Sequence, residues 1–146
     1  MFAVRARLKP SKIHGLGVFA DEPIRKGQII WYFHPAVDLR ITKCQFARLP
    51  RRRQLELKHY AYTNKRGDRI ICGDSAIFFN HADRPNCVDR TGHPGVPFPQ
   101  EDVTVAKRAI RKGEELTCDY LLFDHSPPEE SSFAFSKRGL LLRRRE

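Results

Sequence analysis

The sequence predicts a mainly β fold built from several small sheets, with one or two short helices. Three observations carry this. Short apolar or alternating runs recur along the chain, each closed by turn residues. The pattern Ile-Arg-Lys-Gly occurs twice, at 24–27 and 110–113, and each copy puts a glycine where a hairpin or bulge needs positive φ. Only residues 42–58 have helical character of any length.

In order, residues 2–8 alternate weakly and read as a strand. Gly15 and Gly17, at i and i+2, suit either a plain turn or a close approach of backbone to something bulky. No third glycine opens a helix there, so the dinucleotide fingerprint is absent. The 24–27 turn feeds a strand running to about Phe33. Its twin at 110–113 reads as a similar turn and not a duplicated domain, since the flanking residues do not repeat. In 42–58, Thr42 with Gln45 resembles a capping box, and Pro50 should divide the segment in two. Residues 59–62 alternate like a strand, 64–68 form a turn, and a hairpin is expected over 60–72.

The apolar run Ile77-Phe78-Phe79 reads as a buried strand that delivers Asn80-His81, followed by Pro85-Asn86-Cys87. Two polar groups at its end are either satisfied core groups or a site. Residues 92–102 are rich in Pro and Gly and form a loop. Residues 103–106 and 114–120 are strands, with Glu114 and Glu115 on a solvated turn face. The organisation expected is one domain over 1–125, then a polar linker and tail over 126–146 that packs back on it.

At 146 residues the chain can bury a core without staples. No apolar run reaches the roughly 20 residues of a membrane span, and none suits a signal peptide, so a soluble cytoplasmic protein, monomer or homodimer, is expected. Cys44, Cys72, Cys87 and Cys118 include no CxxC pair, and the histidines lack ligand spacing, so no metal site is expected. The net charge of +10 suits an acidic partner, protein or nucleic acid. The basic clusters are scattered without interleaved aromatics, which argues against sequence-specific nucleic-acid recognition.

Three stretches together resemble the SET-domain family of S-adenosylmethionine-dependent protein lysine methyltransferases. Ile13-His14-Gly15-Leu16-Gly17-Val18-Phe19-Ala20 is similar to the family's Gly-x-Gly cofactor loop. Phe79-Asn80-His81-Ala82-Asp83-Arg84-Pro85-Asn86-Cys87 is similar to its Asn-His segment, and residues 110–120 to its Gly-Glu-Glu-Leu-Thr-x-Asp-Tyr ending. The resemblance implies a knot-like threading of the last motif near the Asn-His segment, which topology rules alone would not predict. It also implies cofactor contacts at Gly15, Leu16, Gly17, Asn80 and His81, and a catalytic tyrosine at Tyr120 that also borders the cofactor. Tyr60 falls near a further pocket tyrosine, with Tyr62 as its competitor. Phe78, Phe79, Tyr62 and Cys118 would line the substrate channel, and Phe133 or Phe135 could stack on the adenine. Cys118 stands where the family often has an aromatic residue that influences how many methyl groups are added. Ala82 replaces the family's serine, and no cysteine-rich segment follows Tyr120. This short form, with Ile71-Cys72-Gly73-Asp74 before the Asn-His segment, looks most like bacterial members.

The chemistry implied fits these residue types. A lysine amine has a free pKa near 10.4, and an apolar channel beside a sulfonium lowers it by desolvation and like-charge repulsion. Positioning by a neutral hydroxyl then does what a strong base would otherwise do. The other readings are an inactive SET-like fold that binds an acidic partner and a basic β module that binds nucleic acid. A cationic enzyme also predicts either an acidic groove, drawn from Asp38, Asp83, Asp89, Glu101, Asp102 and Asp124, or a substrate that is not a highly basic tail.

Overall fold

Ten short strands, three short α-helices and one 3-10 helix follow one another in a computed structural model that describes residues 1–126. They form two compact units, Met1–Leu39 with Cys72–Asp119, and Arg40–Ile71 with the described residues from Tyr120.

In the first unit, β1 (Ala6–Pro10) pairs antiparallel with β2 (Leu16–Ala20). The glycine pair, for which the sequence offered a plain turn or a close backbone approach, leads into a strand from Leu16, because Val18 and Ala20 alternate into the core. β10 (Glu115–Cys118) lies on the other side of β2, antiparallel, and also pairs parallel with β7 (Asn80–His81). The sheet order is β1-β2-β10-β7, so the last strand sits between two earlier ones as the threading required. A second sheet, β3-β9-β8, combines β3 (Ile29–Tyr32), β9 (Asp102–Ala106) and β8 (Cys87–Thr91). Val96, Val103 and Val105 form its core, with Ile29, Tyr32 and Val88 packed around them. Fully burying each such aliphatic side chain contributes roughly 1.5–3 kcal/mol.

The twin turns face each other. Ile24 and Ile110, both 2% exposed, exchange two backbone hydrogen bonds of 2.9 Å each. Gly27 and Gly113 take φ of 79° and 89°, as their place in the turns requires. The Gly27 N–H donates to the Ala106 carbonyl and the Gly113 N–H to that of Ala20, each at 2.7 Å. The repeat thus includes an alanine four residues before each isoleucine, Ala20 and Ala106, which the sequence reading left out.

In the second unit, the 42–58 segment is divided as expected into α1 (Lys43–Arg48) and α2 (Arg51–Leu57). Thr42 and Gln45 form the capping box, and Pro50 breaks the run because it lacks an N–H. β5 (Tyr62–Thr63) and β6 (Arg69–Ile71) make the expected hairpin, and β4 (Leu39–Ile41) completes the sheet β4-β6-β5. The expected strand at 59–62 is confined to its end. His59 and Tyr60 extend the last turn of α2 instead, through Tyr60 N–H to the Leu57 carbonyl at 3.1 Å. α3 (Tyr120–Phe123) follows Asp119, so Tyr120 opens a helical turn and does not close a strand.

The apolar run at 77–79 is not a strand either. Ser75–Phe78 is a 3-10 helix, because the Asp74 carboxylate accepts the Ala76 N–H (3.0 Å) and caps it. Ala76 and Phe79 point into the core, Phe79 against Phe2 at 5.7 Å between ring centroids, while Phe78 stays exposed.

Candidate functional site

Three segments of the first unit meet on one carboxylate. Asn80 is buried at the start of β7, and its side-chain amide donates to the His14 carbonyl (3.1 Å), the Leu16 carbonyl (3.1 Å) and Glu115 Oε1 (2.8 Å). The Ser11 hydroxyl donates to the other oxygen, Glu115 Oε2, at 2.9 Å, and accepts the Ile13 N–H. Glu115 is therefore no solvated turn residue. It and Asn80 hold both ends of the glycine loop against β10. Charge-assisted bonds of this kind contribute more than neutral ones.

Gly17 is required by this packing. A Cβ there would lie 2.2 Å from Glu115 Oε1 and 3.1 Å from Asn80 Nδ2. Gly15 is different. Its φ is +45°, and a Cβ there would meet nothing within 4 Å. Its backbone faces open space, so a ligand can approach it closely, which fits the loop to the cofactor that the resemblance implies.

Asn86 fastens the far side of β10. Its amide donates to the Glu115 carbonyl (2.8 Å), and its side-chain oxygen accepts the Thr117 N–H (2.9 Å), so one side chain imitates a neighbouring strand. Beside it, Cys87 and Cys118 are both buried. The hydrogen bond to Cys87 and burial hold the Cys118 thiol well above its ordinary range, so it stays neutral.

His81 ends β7, the outermost strand of its sheet. Its ring sits between two carboxylates, Nδ1 3.7 Å from Asp119 Oδ1 and Nε2 3.4 Å from Asp83 Oδ1. The Ala82 N–H donates to the Cys118 carbonyl (3.1 Å), which continues the parallel pairing of Asn80 with Thr117 and His81 with Cys118. Asn80 and Glu115 are thus joined by hydrogen bonds to the glycine loop, and the β7–β10 pairing adds His81 and Cys118.

The tyrosines belong to the second unit. Phe123 packs edge-on against both Tyr62 and Tyr120, at 5.3 and 5.4 Å between centroids. Tyr60 is 59% exposed after α2. The structure brings Tyr62, and not Tyr60, into the aromatic group that contains Tyr120. Asp124 accepts the Thr63 N–H (3.0 Å), and the His125 N–H donates to the Thr63 carbonyl (2.9 Å), so the turn after Tyr120 is fixed to β5. Phe133 and Phe135 lie outside the described residues.

Of the carboxylates expected to form an acidic groove, most serve internal bonds. Asp38 is buried and accepts the His34 and Gly73 N–H groups, Asp102 takes the Thr91 hydroxyl, and Asp124 is engaged as above. Asp89 takes the Thr104 hydroxyl, and burial pushes its carboxyl up to about 6. Glu101 is buried, and Asp83 alone of the six has a largely exposed side chain, at 93%.

Sequence reasoning missed Ser11, Glu115 and Asn86 as structural members of this assembly. The last two lie inside the motifs already noted, where a polar residue beside a buried strand is the usable signal.

Comparisons with known proteins agree with this architecture. The SET domain family matches residues 15–121. A Schizosaccharomyces pombe protein named histone-lysine N-methyltransferase, H3 lysine-4 specific, is 33% identical over 129 residues, covering 81% of this chain and 13% of its own. Human histone-lysine N-methyltransferase 2D is 28% identical over 116 residues, 77% of this chain and 2% of its own. The chain therefore spans only a small part of the curated relatives it matches. Among solved structures, a candidate histone methyltransferase of Plasmodium falciparum superposes with a TM-score of 0.59 at 25% identity, covering 84% of this chain and 96% of the other. A humanized mutant of the Chaetomium thermophilum Polycomb Repressive Complex 2, bound to the inhibitor GSK126, gives 0.64 at 20% identity over 87% of this chain and 16% of the other, a likeness of fold.

Proposed function

The chain belongs to the SET-domain family, and from that premise we propose that it transfers a methyl group from S-adenosylmethionine to the side-chain amine of a lysine in a protein. The observation that carries the proposal is the Asn80–Glu115 assembly, which fixes the glycine loop beside His81 with the open face of Gly15 available. The cofactor, when bound, supplies an electrophilic methyl on a sulfonium. Gly15, Leu16, Gly17 and His81 would hold it through main chain, while the Asn80 amide is spent on keeping that loop in shape.

The remaining work falls to positioning. The Tyr120 hydroxyl would orient the neutral amine, with Tyr62 supported through Phe123 as the second ring and Tyr60 as the less favoured candidate. The Cys118 thiol, held protonated, leaves a small neutral wall where a bulkier ring would crowd the amine. The engaged state of most of the carboxylates above supports a target lysine in a segment that is not strongly basic. The matched relatives come from animals and a fission yeast, so a bacterial source rests on the sequence reading alone.

The test is methyl transfer from labelled cofactor to a cell extract, with mass spectrometry of the modified protein. Tyr120→Phe should lower turnover about 100-fold, the cost of a misplaced reactant, while calorimetry shows cofactor affinity little changed. Absence of cofactor binding by the wild type would overturn the proposal and favour a binding role.

A further inference from the structure

The second sheet of the first unit carries a cavity of about 170 Å³ that none of Gly15, Gly17, Asn80, His81, Glu115 and Cys118 lines. Val88 and Val105, paired across β8 and β9, form its apolar floor. Lys26, Arg90, His93 and Lys107 form its wall, and no carboxylate lines it. Among the described residues, none of these four has an ion-pair partner. The Gly95 N–H donates to His93 Nδ1 at 3.0 Å, which leaves the ring proton on Nε2 as a donor.

The repeat explains why this spot is unusual. In one copy Asp21 follows Ala20, and Lys112 of the facing turn pairs with it at 3.4 Å. In the other copy Lys107 follows Ala106, and the residue matching Lys112 is Lys26. The pair that is a salt bridge on one side is two like charges around a cavity on the other. Like charges brought together repel, and an anion between them removes the penalty.

We propose that this cavity docks the phosphate backbone of double-stranded nucleic acid, with Lys26, Arg90 and Lys107 as the charge contacts and His93 as a further donor. Lys26, Arg90 and Lys107 are exposed, so each contact is weak by itself and favours a polyanion that repeats it. No Phe, Tyr or Trp lines the cavity, so it offers no stacking platform for single-stranded bases. The net charge of +10 favours the same partner.

The test is binding of the full chain to a fluorescent DNA duplex of about 20 base pairs over a salt series. Each phosphate contact contributes about 0.9 to the slope of log affinity against log salt. Lys26→Ala/Arg90→Ala/Lys107→Ala should therefore flatten the slope by about 2.7 and weaken binding at least about tenfold at 0.1 M salt. Arg51→Ala/Arg52→Ala/Arg53→Ala removes the same charge from α2 and should leave most of the slope. Should the triple variant fail to fold, Lys107→Asp is the second probe, since it restores on this side the charge pair seen between Lys112 and Asp21, and it should also weaken binding. Equal losses from both triples, an unchanged slope, no duplex binding by the wild type, or tighter binding of a polyglutamate peptide would each overturn the proposal.

Discussion

Residues 20–28 and 106–114 share a backbone and differ in charge. The Ala106 N–H donates to the Gln28 carbonyl and the Ala20 N–H to the Glu114 carbonyl, both at 2.9 Å, so each turn is closed by the alanine of the other copy. Even the side chains correspond. Gln28 Oε1 accepts the Arg25 N–H at 3.0 Å, and Glu114 Oε1 accepts the Arg111 N–H at 2.7 Å. In the second copy Arg108 also reaches Glu114, at 2.8 Å. Burial works against the ionised Glu114, but the Arg108 and Arg111 bonds hold its carboxyl below the usual range. The difference teaches that the frame resides in apolar and main-chain contacts, which both copies keep. The charges on that frame differ between the copies.

Equivalence of the frame can be broken first at its centre. Ile24→Ala and Ile110→Ala should each cost about 2–5 kcal/mol of stability, by similar amounts. A chemical denaturation series showing one far costlier than the other would end the equivalence. Gly27→Ala and Gly113→Ala come next, each costing about 1–2 kcal/mol for forcing a Cβ into positive φ. No atom lies within 4 Å of either added Cβ, so thermal melts should show matching shifts. The smallest effect sharpens the contrast in charge. Lys112→Ala, which deletes an exposed ion pair, should change stability by no more than about 0.5 kcal/mol, and Lys26→Ala should not destabilise at all. A clear loss from Lys26→Ala would mean that Lys26 is a structural residue.

The glycine turns, the capping box and the hairpin at 62–71 were legible in the sequence because each is decided locally. The 77–79 run was not. Its apolar character is that of a core strand, but the Asp74 carboxylate captures a backbone N–H and winds the chain into a 3-10 turn before the strand begins. Tyr60 and Tyr62 are two residues apart in sequence, and only the continuation of α2 decides which of them is packed. Asn80 stood out in the sequence as a polar group at the end of an apolar run, but its partners did not, because its three acceptors come from segments about 65 and 35 positions away in the chain. β8 and the Leu39–Ile41 strand carried no separate signal, since short strands take their stability from partners.

The slot that β10 fills has a consequence for biosynthesis. Its two walls, β2 and β7, are made early, and neither touches the other in the sheet order. Until the ribosome has released the residues beyond 118, both walls expose unsatisfied main-chain edges, the kind that recruit other chains. Folding of this sheet must therefore wait until β10 has been made, and truncation before Glu115 should give an insoluble product.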